Sequence, residues 1–203
     1  MKTKCVPTPV VRIVKCDCGK FEAKAENESF QSVICHCHGC VASKRLMIKN
    51  PDCFEGVPLS LYLAKNVEFL TDVKAPETSS KFGFVKVGEH GKLPRIYCKS
   101  CNSHVMNLPV KGVVAFNRYC MYEADGITKY NPEGLLNVNA KHSFDPSKVP
   151  EPKHDTFGPI GSVLWEIAPS MIATKLPGAA DISKDHKGLF PDPSTMEVAE
   201  ITW

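Results

Sequence analysis

Cys35-His36-Cys37-His38-Gly39-Cys40 places three cysteines within six residues. Thiolates packed so closely repel one another unless a cation draws them together, and a zinc ion bound through sulfur is the commonest such cation. A closed structural zinc site takes four protein ligands, whereas a catalytic one commonly takes three and keeps a position for water or substrate. Three sulfurs therefore point toward chemistry.

Working outward, the flanking sequence supplies two more cysteine pairs. Cys16-Asp17-Cys18-Gly19 lies between the β-branched run Val10–Val14 and Phe21–Glu26, which alternates apolar with charged residues as a half-buried strand does. A CxC followed by glycine suits a hairpin tip, where glycine tolerates the backbone that aims two sulfurs at one ion. Tyr97-Cys98-Lys99-Ser100-Cys101 is a CxxC at a strand end in a knuckle-like turn. Joining the two pairs gives a four-cysteine site that clamps the ends of the core across about eighty residues, with no ligand missing.

Between these motifs the chain reads as a succession of short strands. Ser32–Cys35, Leu59–Leu63, Val67–Leu70, Ser79–Val87, Val105–Leu108 and Val113–Tyr119 are separated by turn residues such as Lys65-Asn66, the Gly88–Pro94 loop, and Pro109 with Gly112. Val41–Ile48 fits a helical turn or a strand. The expected class is mainly β.

Composition narrows the function. Hydrophobic residues make up 43% and charged residues 23%, which suits a globular chain with a proper core. A net charge of +3 with scattered Lys and Arg carries no footprint for nucleic acid. No apolar run reaches the roughly 20 residues that span a bilayer, and no signal peptide is visible, so a cytoplasmic protein without membrane contact is expected. Ten cysteines in CxC and CxxC pairs argue for metal in a reducing compartment rather than for disulfides. Eight of the sixteen prolines fall between residues 145 and 203, so residues 141–203 are expected to form an extension beyond a domain over 1–140. Trp165, Trp203 and the apolar Ile160–Trp165 stretch imply that this extension packs on the core or on a partner subunit, and a homodimer is one expectation.

CxCG, then CHCxxC, then an aromatic residue before CxxC, in this order, resembles the glutathione-dependent formaldehyde-activating enzyme family, which also includes centromere protein V. The resemblance spans roughly residues 10 to 120. It implies a β-tent of antiparallel sheets carrying two zinc ions per chain: a structural one on Cys16, Cys18, Cys98 and Cys101, and a catalytic one on Cys35, Cys37 and Cys40. It also implies a carbon–sulfur lyase that takes a small-molecule thiol and a carbonyl, such as glutathione and formaldehyde giving S-hydroxymethylglutathione. This chain departs from the family pattern at Val41, where arginine is common, and at Asn102, where glycine is common. Asn102 is expected to take the left-handed turn that glycine would fill. Lys44 and Arg45 are expected to supply the charge missing at Val41 and, with Arg95, to receive the carboxylates of an acidic thiol; Lys99 lies in the same neighbourhood.

Other roles stay open on sequence alone. His36, His38 or His104 is able to close the three-cysteine site, His38 being the substitute expected ahead of His36, whose place is beside the site or in solvent. Closed, that site would suit a noncatalytic zinc module for protein partners, although only fifteen residues precede Cys16 and no long basic extension is expected there. A family-like enzyme acting on another metabolite is a further alternative. An iron–sulfur cluster is disfavoured by CxC spacing. Cys5, Cys53 and Cys120 read as buried free thiols. Ser79 and Ser80 fit turn capping or the second site, and Tyr97 and Phe116 fit the core.

Overall fold

Ala23 and Ala25 alternate with Glu22, Lys24 and Glu26, and this period of two buries both alanines while both glutamates stay exposed. The computed structural model describes residues 10–27, 29–50, 53, 55–71, 80–87, 94–110, 113–131, 135–155 and 197–199. In it these residues form strand β2 (Glu22–Glu26), paired antiparallel with β1 (Val11–Lys15). The turn between them is pinned by Gly19 at φ 71°, whose N–H donates to the Cys16 carbonyl at 2.9 Å. That left-handed conformation is open to glycine at little cost. With β5 (Val67–Phe69) and β10 (Met121–Tyr122), the hairpin completes a four-stranded sheet in the order β10-β1-β2-β5.

A second sheet has eight strands, in the order β11-β3-β4-β9-β8-β7-β6-β12. Its members are β3 (Gln31–Cys35), β4 (Val57–Leu63), β6 (Phe82–Val87), β7 (Arg95–Cys98), β8 (His104–Val110), β9 (Val113–Asn117), β11 (Leu136–Val138) and β12 (Glu197–Ala199). The chain is thus mostly β, as its succession of short strands implies. The pairing is antiparallel through the interior, but both edges depart from that pattern: β11 lies parallel to β3 and β12 parallel to β6. Long connections precede both strands, and a parallel partner needs that length of crossover. The two runs flanking Lys65-Asn66 fall in different sheets, because the 3-10 turn Ala64–Asn66 lifts the chain from β4 across to β5.

β4 and β9 lack the half-buried alternation because both of their faces are covered. Tyr62, Val114 and Phe116 point into the core between the two sheets, together with Phe21, Phe82, Ile96 and Met121. Leu59, Leu61, Val113 and Ala115 point the other way, into a second cluster with Val33, Cys35 and Val57. In the first cluster Phe21 and Phe82 meet edge to face, centroids 5.9 Å apart, and burying each such ring contributes about 2–3 kcal/mol.

The one helix among the described residues, α1 (His38–Ile48), resolves the ambiguous run at Val41–Ile48 and begins earlier, inside the cysteine run itself. Cys37 is its N-cap, and the Cys37 carbonyl accepts from the N–H groups of Cys40 (3.0 Å) and Val41 (3.1 Å). The helix stops at Lys49, in left-handed conformation at φ 53°. Ala42 and Met47 pack it against Val85 and Val87 of β6. Residues 141–155 of the extension fold back on β11: Asn137 Nδ2 donates to the carbonyls of Pro150 (3.1 Å) and Pro152 (3.3 Å), and the His154 N–H donates to the Asn137 carbonyl at 2.8 Å. Trp165, Trp203 and the Ile160–Trp165 stretch lie outside the described residues. No helix among those described is long and apolar enough to cross a membrane.

Candidate metal centres

Cys16 directly follows β1, Cys18 sits in the β1–β2 turn, Cys98 ends β7, and Cys101 sits in the β7–β8 turn. Two hairpins from different sheets thereby bring four sulfurs within 4.8 Å of one another. Cys18 Sγ lies 3.5 Å from both Cys16 Sγ and Cys98 Sγ. A tetrahedron of metal–sulfur bonds near 2.3 Å separates its sulfurs by about 3.8 Å, so the cluster fits a thiolate-bound metal ion. Asn102, at φ 57°, closes the knuckle by donating its N–H to the Cys98 carbonyl at 2.7 Å, which is the left-handed turn expected of it. The Phe21 N–H donates to Cys16 Sγ at 3.3 Å. Ser103 Oγ ties the two turns together: it donates to Asp17 Oδ2 at 2.8 Å, accepts from the Asp17 N–H at 3.3 Å, and lies 3.2 Å from Cys101 Sγ.

The thiols of this cluster diverge as crowded acids do. Burial pushes Cys16 up to about 12 and raises Cys98. Burial also raises Cys101, but hydrogen bonds from Ser103 and Cys18 outweigh it and bring that thiol down to about 6. All described cysteines are free thiols.

The three-cysteine cluster is assembled within one strand-to-helix junction. Cys35 ends β3, Cys37 caps α1, and Cys40 lies in its first turn; their sulfurs also fall within 4.8 Å of one another, Cys35 to Cys37 at 3.4 Å. Among the described residues no His, Asp or Glu joins either group. Hydrogen bonds from Cys35 and Cys40 concentrate the negative charge on Cys37, which falls to about 2 despite its burial. The same bond to Cys37 pushes Cys35 up to about 12, and Cys40 is raised by its bonds to Cys35 and then to Cys37. One thiolate held by two thiols is what three crowded sulfurs adopt without a cation, and a metal ion would displace both protons. Two side-chain amides reach the sulfurs: Asn139 Nδ2 donates to Cys35 Sγ at 3.3 Å, and Asn107 Nδ2 lies 4.0 Å from Cys40 Sγ. Asn107 Oδ1 can only accept, so His104 carries its proton on Nε2 and donates there at 2.7 Å.

The basic residues expected near the site fall in different places. Arg95 comes closest: its guanidinium field lowers the Cys37 thiol, and a methyl group built on Gly39 would stand 3.0 Å from Arg95 Nη2. Gly39 therefore leaves the room that the guanidinium fills. Lys44 pairs with Glu55 at 3.1 Å, while Arg45 donates from Nε to the Cys53 carbonyl at 2.8 Å and lies over the Phe144 ring. Lys99 and Ser80 are exposed, and Ser79 lies outside the described residues. His36 turns from the sulfurs to Asn137 Oδ1, 3.0 Å away, and His38 packs edge-on against Phe144, centroids 4.6 Å apart. Phe116 is core, and Tyr97 packs at its margin over Gly83. Cys120 is buried against the His104 carbonyl, Cys53 is half-buried, and Cys5 lies outside the described residues.

Sequence reasoning missed Asn107, Asn139 and the Asp17–Ser103 pair. The first two had a signal, since each is an amide set in an otherwise apolar stretch, Val105-Met-Asn-Leu108 and Leu135-Leu-Asn-Val-Asn-Ala140. A buried amide needs partners, and here one partner is a sulfur.

No protein-family model matches the chain, and no curated protein matches it significantly. Among solved structures, a crystal structure of a Rhodobacter sphaeroides protein is similar with a TM-score of 0.41 and 12% sequence identity, over 61% of this chain and 96% of the other.

Proposed function

We propose that this chain is a zinc-dependent carbon–sulfur lyase that joins a thiol to a small carbonyl, holding one structural and one catalytic zinc ion. Glutathione and formaldehyde, giving S-hydroxymethylglutathione, are the first substrates to test. The reading is carried by the contrast in ligand number: four sulfurs in one cluster, and three sulfurs without a fourth protein ligand among the described residues in the other. The motif resemblance supports the same assignment, and the free cysteines suit a reducing cytoplasm, where glutathione is at hand.

The reaction adds S–H across C=O: a carbon–sulfur bond forms and the thiol proton passes to the carbonyl oxygen. A zinc ion bound at the three-cysteine cluster would supply a Lewis acid that favours the thiolate and polarises a carbonyl. Cys35, Cys37 and Cys40 would hold that ion. Asn139 and Asn107 keep the Cys35 and Cys40 sulfurs oriented, as outer partners of metal ligands do. Arg95, beside Cys37, offers a fixed positive charge to a carboxylate of the incoming thiol.

A native mass spectrum of the zinc-replete protein, with and without glutathione, tests this reading. Two zinc ions per chain and a glutathione adduct that Cys37→Ala abolishes are expected, together with formaldehyde consumption faster than the spontaneous reaction. Two zinc ions with no adduct for any thiol, and no turnover, would make the chain a noncatalytic zinc module. The same spectrum reads the proposed homodimer.

A further inference from the structure

A cavity of about 700 Å³ opens on the face of β3 turned away from the sulfurs. Ile34 and His36 line it, while Cys35 between them belongs to the apolar cluster on the other side of the sheet. None of the cysteines is in its wall, and its size lies within the range of small-molecule sites. Ile34, Pro58, Leu135, Phe144 and Val149 give it an apolar lining, and Tyr119, 58% exposed, sets an aromatic ring at its open side. Phe144 is held in place from behind, by the Arg45 guanidinium 4.3 Å from its ring centroid and by His38 edge-on at 4.6 Å.

The wall is electrically balanced. Glu55 and Asp145 stand against Arg118 and Lys148; Asp145 pairs with Lys148 at 3.3 Å, and Glu55 is engaged by Lys44 at 3.1 Å. Arg118 Nη1 and Ser143 Oγ are sealed beneath the surface, out of a ligand's reach. An ion entering the cavity would give up its hydration without meeting a net opposite charge, which is costly.

His36, by contrast, presents the cavity with an unpartnered acceptor. Asn137 Nδ2 donates to the carbonyls of Pro150 and Pro152, at 3.1 and 3.3 Å, and this turns Oδ1 toward His36. That oxygen only accepts, so His36 Nε2 donates to it at 3.0 Å and the neutral ring keeps a lone pair on Nδ1. Nδ1 has no partner among the described residues and, unlike the Arg118 and Ser143 atoms, is not sealed off, although His36 as a whole is only 7% exposed. Gly56 keeps this edge of the ring clear: a methyl group built there would stand 2.7 Å from Cε1 and 2.9 Å from Nδ1. A nearly buried acceptor without a donor is costly and uncommon, and a ligand hydroxyl answers it.

We propose that this cavity binds an uncharged aromatic alcohol, its hydroxyl donating to His36 Nδ1 and its ring lying against Phe144 and Ile34. The balanced wall disfavours either sign of charge, and the lone pair on Nδ1 favours a donor over an ether. The assignment is independent of the lyase reading.

The test titrates 3-phenylpropan-1-ol into the zinc-replete full chain by calorimetry, beside its methyl ether, 3-phenylpropanoate and 3-phenylpropylammonium. Saturable binding of one alcohol per chain is expected, about three- to tenfold tighter than the ether and about tenfold or more tighter than either ion. In His36→Phe the ratio of alcohol to ether affinity should fall to about one, a change that a merely weakened fold would not produce. Leu135→Trp, which fills the apolar side while keeping His36, should abolish binding of both; the unfolding transition and zinc content of each variant are recorded alongside. No saturable binding at millimolar alcohol overturns the proposal, and so do equal or tighter binding of the ether or of either ion, an alcohol-to-ether ratio unchanged by His36→Phe, or indifference to Leu135→Trp.

Discussion

The four-cysteine cluster draws its sulfurs from two hairpins in two sheets, whereas the three-cysteine cluster takes all of its sulfurs from one junction of six residues. The surroundings differ in the same sense. The first is shaped largely by backbone: a left-handed Gly19, a left-handed Asn102, and N–H groups turned toward carbonyls and sulfur. The second is shaped by side chains that arrive from elsewhere, Asn107 from β8, Asn139 from beyond β11 and Arg95 from β7. A site that closes a loop of some eighty residues stores folding free energy, because the unfolded chain must lose that freedom to form it. A site built within one turn stores little. Its cost lies in three crowded thiols, and its neighbours tune sulfurs rather than tie sheets together.

The sharpest way to break this comparison is to remove one sulfur from each cluster. Binding at a four-thiolate structural site is worth on the order of 10 kcal/mol, comparable with the whole stability of an ordinary domain, about 5–15 kcal/mol. Cys98→Ala is therefore expected to abolish the cooperative unfolding transition at 37 °C. Cys37→Ala is expected to lose one metal ion per chain and cost only about 1–2 kcal/mol of stability. Thermal unfolding with metal analysis of the folded fraction reads both. Equal losses of melting temperature would show that the three-cysteine junction is as structural as the clamp.

The clamp was legible in the sequence because local spacing fixes it two sulfurs at a time. CxC with Gly19 and CxxC with Asn102 each specify a turn, and only their pairing across the chain had to be inferred. The mainly β class followed from strands of period two such as Glu22–Glu26. The helix was undecided because Cys37, its N-cap, makes no side-chain cap bond and so gives no Ser, Thr or Asp signal, and because apolar residues crowd both ends of Val41–Ile48. The parallel edges were hidden by tertiary context: β11 has three residues and pairs with a strand about a hundred positions earlier. Charge near the three-cysteine site was sought close in sequence, at Lys44 and Arg45, and farther along the chain at Arg95. The tips of Lys44 and Arg45 find nearer partners in Glu55, the Cys53 carbonyl and Phe144, while the cation beside Cys37 comes from β7.

Acid sharpens the comparison through His104, which stands on β8 between the knuckle of one cluster and the Asn107 amide of the other. Burial lowers its pKa from 6.5 to about 4 in the folded chain. The unfolded chain therefore binds the extra proton in that interval, so the contribution is fully present above pH 6.5 and is lost as pH falls toward 4. The size is about 3 kcal/mol. His104→Gln keeps a donor for Asn107 and does not titrate. The stability difference between the two proteins should change by about that amount on acidification, while metal release, common to both, cancels. Parallel stability curves between pH 7 and pH 4 would assign the acid sensitivity to the thiolates alone.

Asn139→Gly tests the side-chain shell directly. Asn139 has φ 59°, so glycine keeps the backbone and removes only the donor to Cys35 Sγ. Loss of an outer partner of a metal ligand lowers affinity by about 10–100-fold. Competition with a chromophoric chelator should therefore show one weakened site per chain and one unchanged. Weakening of both sites, or of neither, would dissolve the distinction between backbone-built and side-chain-built clusters.

The smallest effect is expected where backbone alone does the work. Asn102→Gly restores the residue that a left-handed φ of 57° most readily accepts, and the contact that matters there is the donation of its N–H to the Cys98 carbonyl, which glycine retains. Stability should stay within about 0.5 kcal/mol of the parent. Asn102→Val should cost about 1–2 kcal/mol, since a β-branched side chain fits that region poorly. Chemical denaturation of the two variants at fixed zinc separates them. If valine is tolerated as well as glycine, the knuckle is imposed by the metal rather than prepared by the turn. The clamp would then be assembled by its ion.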